Sequence, residues 1–204
     1  VGLDPSRVRE AARQDIAAFL ELHIEQGPVL DREGIALGVV EAISGVNRIA
    51  VRVEGRADHA GTTPMAVRAD ALLGAADIVR AMRRLADQTG EPARVTVGRL
   101  SVHPSQANIV AGAVDLIVDC RHPDRPSQER LRDEAVRMCQ AAAQGGLRVH
   151  TEVLVDQPPT AMDTGLVDVL GRAAGRRGYS FRRMVSGAGH DSQILGRRIP
   201  TAML

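Results

Sequence analysis

Ile49-Ala50-Val51-Arg52-Val53-Glu54 alternates residue by residue, so Ile49, Val51 and Val53 share one face while Ala50, Arg52 and Glu54 share the other. Side chains on extended backbone point alternately to opposite faces, which makes this a half-buried strand. Further along, Thr63-Pro64 sets a capping residue before a proline suited to the first helical position. Leu72, Ala75, Val79, Met82 and Leu85 then recur at steps of three and four. This spacing predicts a helix ending near Gly90. Two strands follow, one over Arg94 to Val102 and one in which Val114, Leu116, Val118 and Cys120 alternate with Asp115, Asp119 and Arg121. Ala111-Gly112 turns between them. After Pro123 and Pro126 a second helix places Leu131, Ala135, Met138 and Ala142 on one stripe, stops at Gly145-Gly146, and precedes a strand through Val149, Val153 and Val155.

The order strand, helix, strand, strand, helix, strand is the split βαβ, or ferredoxin-like (βαββαβ), arrangement: four antiparallel strands with two helices on one face. It covers residues 43–157, with Ser44-Gly45 and Pro158-Pro159 as hinges. The flanks, 1–42 and 158–204, each offer helices and strands without a complete domain. They are expected to be pieces of one α/β domain into which the central module is inserted. That flank sheet is too small to bury both of its faces.

Hydrophobic residues make up 44% and charged residues 25% of the 204, as in a globular chain. The net charge of +1 argues against a nucleic-acid partner. No apolar run approaches the roughly 20 residues of a membrane helix, and no charged-then-apolar leader precedes Val1, so a cytoplasmic protein with no membrane partner is expected. All 26 basic residues are Arg and the only aromatics are Phe19, Tyr179 and Phe181, a bias without functional meaning. Cys120 and Cys139 fall in apolar patterns and read as buried thiols.

Five segments could carry chemistry, and each has a plain structural alternative. Within Glu21-Leu22-His23-Ile24-Glu25-Gln26-Gly27-Pro28, His23 and Glu25 share a face where a buried strand should be apolar. A lone strand histidine is more often simply hydrogen-bonded than a metal ligand. Asp58-His59-Ala60-Gly61-Thr62-Thr63 is either a capping loop or an imidazole presented beside helix-terminal N–H groups to a developing negative charge. Asn108 in Gln106-Ala107-Asn108-Ile109 is either a turn residue or an amide donor to a carbonyl. Arg121, closing its strand, is either solvated or a bidentate carboxylate receptor. Ser186-Gly187-Ala188-Gly189-His190-Asp191 is a strand-to-helix turn that lets backbone approach a ligand, with His190 at the helix start. His103, His122 and His150 receive no role.

Together these five ordered segments, with Arg68-Ala69-Asp70-Ala71 after the second, resemble the N-carbamoyl-L-amino-acid hydrolases, allantoate amidohydrolases and β-ureidopropionases of the dinuclear-zinc aminopeptidase-like superfamily. The match runs over nearly the whole chain. The resemblance implies an aminopeptidase-like α/β catalytic domain in two pieces, with residues 43–157 as lid and dimerisation domain of a homodimer. It implies a metal-dependent amidohydrolase that cleaves linear C–N bonds of N-carbamoyl amino acids or related ureido compounds, a small-molecule substrate in either case. Allantoate is the alternative. The metal would be zinc (or manganese, cobalt or nickel), two ions per complete site. His23 would be a metal ligand and Gln26 a neighbour of the substrate. His59 and Asn108 would stabilise the tetrahedral intermediate across the dimer. Arg121 would hold the substrate carboxylate, and His190 would lie beside the scissile group.

Family members carry a first histidine ligand, a bridging aspartate and a Glu-Glu pair upstream of the segment matching His23, and a last histidine ligand near the C-terminus. None of these occurs in the 204 residues, and Val1 stands where a starting Met would. A chain truncated at both ends is expected, one that binds zinc weakly and does not by itself hydrolyse N-carbamoyl amino acids. A non-catalytic dimerisation or binding module is the reading from another class.

Overall fold

The computed structural model describes residues 4–11 and 13–204, so Val1 lies outside the described residues. After a short 3-10 turn the elements in chain order are β1 (Phe19–Glu21), α1 (Val29–Glu33), β2 (Leu37–Ile43), β3 (Gly45–Glu54) and α2 (Ala71–Thr89). Next come β4 (Arg94–His103), β5 (Ala113–His122), α3 (Arg125–Gln140), β6 (Arg148–Gln157) and β7 (Thr160–Ala161). The chain closes with α4 (Thr164–Arg176), β8 (Phe181–Ser186), α5 (Asp191–Leu195) and β9 (Thr201–Met203). The fold is mixed α/β, with two compact units: Ser44–Pro159, and Val1–Ile43 with Thr160–Leu204. Among the described residues no helix is long and apolar enough to cross a membrane.

In the Ser44–Pro159 unit the strand order is β4-β5-β3-β6, antiparallel throughout. Val51 and Val53 of β3 face Leu116 and Val114 of β5 and, with Ile49, are buried to 2% exposure or less. Helices α2 and α3 cover that face. Ile49, Ile78, Met82, Leu116 and Leu131 form one core with the buried thiols Cys120 and Cys139. Burial pushes both thiols up to about 12, so they behave as small hydrophobes.

Helix α3 ends at Gln140, so Ala142 lies beyond it and Gly145-Gly146 do not mark its stop, and two details of α2 also depart from the pattern read in the sequence. The helix begins at Ala71, because Asp70 accepts from the N–H groups of Leu72 and Leu73; Thr63-Pro64 instead precede a 3-10 turn over Met65–Val67. The buried seam is Ala71, Gly74, Ala75, Ile78, Ala81, Met82 and Leu85, whereas Leu72 (42% exposed) and Val79 (37%) lie on its margin. Each follows a seam residue by one position, about 100° round the helix, which the three-and-four spacing alone does not resolve.

The other unit is a five-stranded sheet in which β1 pairs β9 in parallel and β2 pairs β9, β8 and β7. Val39, Val40, Ile43, Met162, Val167, Ala202 and Met203 form its core. On β1 and the residues after it, Leu20, Leu22 and Ile24 are 58%, 81% and 74% exposed, alternating with the half-buried Glu21, His23 and Glu25. One face of this edge is therefore apolar and the other carries ionisable groups.

Candidate functional site

Two groups of the singled-out residues are assembled locally, one in each unit. The first stands on the carboxyl end of β1. The chain continues its pairing past the strand, since Leu204 N–H donates to Glu21 O at 3.0 Å and His23 N–H to Leu204 O at 2.9 Å. Glu21 and His23, two residues apart, project to the same side. From the β8–α5 turn comes His190, whose ring meets that of His23 edge-on with centroids 4.6 Å apart. One ligand atom from each of Glu21, His23 and His190 falls within 4.8 Å of the others.

Hydrogen bonds set what each group can offer. His23 Nδ1 lies 2.7 Å from Ile24 O; a carbonyl only accepts, so the proton sits on Nδ1 and Nε2 keeps its lone pair. His190 Nε2 lies 2.7 Å from Ser186 Oγ, while its Nδ1 is buried with no partner. Glu21 Oε2 accepts from both Ser192 N–H at 2.9 Å and Ser192 Oγ–H at 2.6 Å. Burial works to raise the Glu21 carboxyl, but the two Ser192 bonds and the nearby His190 and His23 rings outweigh it and hold the group below its ordinary value. Burial, reinforced by His23, lowers His190. A carboxylate with two imidazoles, each ring held through its far nitrogen, is a donor set that suits a divalent cation such as zinc. An orphaned buried ring nitrogen in that cluster fits the same purpose.

Glu25, which shares the His23 face in the sequence reading, does not join the cluster. Gln26 takes a left-handed φ of 54°, and the turn carries Glu25 back to accept from Val29 N–H and Leu30 N–H at 2.8 and 2.9 Å. It caps α1, filling the role that first-turn N–H groups demand. Glu21 is the carboxylate that the sequence reading missed. The signal was present, because the alternation that pairs His23 with Glu25 pairs it equally with Glu21. Gln26 itself is exposed, at a backbone conformation uncommon outside glycine.

The second group lies in the Ser44–Pro159 unit, where His59 and Asn108 occupy two loop segments zipped together. Ala60 N–H donates to Asn108 O at 2.9 Å, Val110 N–H to Asp58 O at 2.8 Å, and His59 forms an isolated antiparallel bridge with Ile109. The base of the His59 loop is closed by Arg56 N–H to Ala69 O at 2.8 Å. Only glycine permits that approach at position 55, since a Cβ there would overlap the Ala69 carbonyl oxygen. Arg121, near the end of β5, is held by Asp119 through Nε at 2.7 Å and a second nitrogen at 3.1 Å. This Asp119 bond raises the guanidinium, which stays charged.

Residues 5–204 match the sequence pattern of Peptidase family M20/M25/M40. An N-carbamoyl-L-amino-acid amidohydrolase of Paenarthrobacter aurescens is 40% identical over 100% of this chain and 50% of its own length. An allantoate amidohydrolase of Bacillus subtilis is 37% identical over 96% of this chain and 48% of its own. The crystal structure of a hydantoinase/carbamoylase family amidase from Burkholderia multivorans superposes with a TM-score of 0.89 at 38% identity, covering 92% of this chain and 46% of that one. The chain thus spans about half the length of the relatives it matches.

Proposed function

Because the chain belongs to Peptidase family M20/M25/M40, we propose that it contributes to a metal-dependent amidohydrolase acting on linear C–N bonds of N-carbamoyl amino acids or related ureido compounds. The observation that carries this is the Glu21, His23 and His190 cluster, whose atoms lie within 4.8 Å of one another. The names of the two relatives supply the substrate class, and allantoate is the alternative within it.

In this reading His23 and His190, with Glu21, hold a divalent cation, zinc by the nitrogen-rich character of the set. When bound, the ion would supply Lewis-acid polarisation of the scissile carbonyl and a lowered pKa for water. Gln26 sits beside the substrate, and Arg121 receives its carboxylate in the planar, bidentate manner that it already uses with Asp119. His59 and Asn108, acting across the homodimer, donate to the oxyanion that forms as the carbonyl carbon becomes tetrahedral. His59 fits the task because its Nδ1 accepts from Gly61 N–H and Thr62 N–H at 3.1 and 3.2 Å. The neutral ring must then carry its proton on Nε2, and that N–H is the donor. The Ser44–Pro159 unit, as a ferredoxin-like lid, pairs with its copy in a homodimer of a cytoplasmic enzyme, and the remaining residues contribute to an α/β catalytic domain.

Among the described residues this cluster offers three donors, fewer than a dinuclear site requires. The 204-residue chain is therefore expected to bind at most one equivalent of zinc, weakly, and to lack turnover alone. Metal analysis joined to a panel of N-carbamoyl amino acids and allantoate, run on the gene product encoded in full, tests the reading. Metal-dependent release of ammonia or of the free amino acid supports it, and a metal-loaded product inert to the whole panel sinks it.

A further inference from the structure

The carbonyls at the two ends of the His59 loop are bridged by one side chain, that of Arg68. Every backbone N–H from residue 60 to 63 has a partner: Ala60 donates to Asn108 O, Gly61 and Thr62 to His59 Nδ1, and Thr63 to His59 O at 3.1 Å. Ala60 O, which shares its peptide plane with the Gly61 N–H, and Thr63 O, at the far end of the loop, are both gripped by the half-buried Arg68. Its Nε donates to Thr63 O at 3.0 Å, and one terminal nitrogen donates to Ala60 O at 2.6 Å and Thr63 O at 2.9 Å. Arg68 follows the Met65–Val67 turn, whose Val67 carbonyl is bonded at 3.0 Å by Arg56.

We propose that Arg68 is a positioning residue for His59: by bridging Ala60 O and Thr63 O it aims the Gly61 and Thr62 N–H groups at Nδ1 and so fixes the ring as an Nε2–H donor. A guanidinium suits this, because its fork reaches two carbonyl oxygens at once whereas an ammonium reaches them as a single point charge. Only the catalytic consequence rests on the oxyanion role given to His59; the tautomer and the loop geometry do not.

The test has two arms. Nitrogen-15 NMR of the 204-residue chain at alkaline pH, where the ring is neutral, reads which His59 nitrogen carries the proton, and amide exchange reads Gly61 and Thr62. The expected wild-type result is one tautomer protonated on Nε2 with both amides protected. In Arg68→Gln the two amides should exchange on the order of tenfold faster or more, with Ala81 and Met82 in α2 unchanged, and Arg68→Lys should fall between. A wild-type ring protonated on Nδ1 overturns the proposal by itself. So does full protection of both amides in Arg68→Gln or, should that variant lose α2 protection, in Arg68→Lys. In the full gene product Arg68→Lys should lower kcat by on the order of ten- to a hundredfold with little change in KM. It should add nothing to the loss in His59→Ala. If the loop opens in NMR while kcat is untouched, the positioning stands and the oxyanion role of His59 falls.

Discussion

Ser192 decides how well Glu21 can serve as a ligand. Its N–H and hydroxyl both bind the same carboxylate oxygen, which charges and orients the group before any cation arrives. Removing such an outer partner typically weakens metal binding on the order of 10- to 100-fold. Ser192→Ala should show that loss in a zinc competition titration with the circular dichroism spectrum unchanged; equal affinity would remove Glu21 from the ligand set. At this scale the sequence singles out His23 as a metal ligand, sets His190 beside the scissile group rather than in the ligand set, and pairs His23 with Glu25 rather than Glu21. Alternation offers Glu21 and Glu25 equally. The choice is made by the left-handed Gln26 and by the unsatisfied N–H groups at the start of α1, which draw Glu25 away. Neither force is written in the spacing.

At the scale of elements, the strands of the Ser44–Pro159 unit are legible because each turns one face to the core, fully buried in β3 and β5 and half-buried in β4 and β6, while the helices are legible in place but not at every end. The α2 start was misplaced because Thr63-Pro64 and Asp70 are both acceptable caps, and tertiary closure of the 56–69 loop selects the second. Asp70→Ala should therefore cost about 1 kcal/mol in chemical denaturation, and Thr63→Ala far less, since Thr63 caps nothing. Equal costs would contradict this placement.

A second element-scale device joins β3, β6 and α3. Asp156 accepts from Asn47 Nδ2 at 2.9 Å, from Arg125 at 2.5 and 3.1 Å and from Arg132 at 2.9 Å. Arg125 is the main cause that holds the Asp156 carboxyl below its ordinary value, against a smaller opposing effect of burial. A carboxyl that binds its proton less tightly folded than unfolded stabilises the fold above the unfolded-state pKa, about 3.9. That stabilisation is lost as pH falls through the lower folded value. Asp156→Asn should accordingly be less stable than wild type at neutral pH, with the difference narrowing as acid protonates Asp156. A stability gap that stays constant down to pH ~2 would show that the carboxylate charge contributes nothing.

For the molecule as a whole, the readable part was the part built from long alternating strands. Strands β1, β7 and β9 hold three, two and three residues, too few for any periodicity, and β1 finds β9 across nearly the full chain, Phe19 opposite Thr201. Such pairings are set by tertiary closure. The Ser44–Pro159 unit is different. Its first and last strands are neighbours, with Val46 opposite Gln157, so the two ends of the unit leave side by side. Gln128, fully buried, secures that exit by donating to Gln157 O at 2.9 Å. Its core is its own, running from Ile49 to Cys139. A unit with adjacent ends and a private core meets the conditions for folding alone. Residues 44–159 expressed by themselves should unfold in one cooperative transition, with dispersed amide resonances and Cys120 and Cys139 unreactive to thiol reagents until denaturant is added. A fragment that binds hydrophobic dyes, or exposes both thiols without denaturant, would show that its stability depends on the flanking segments.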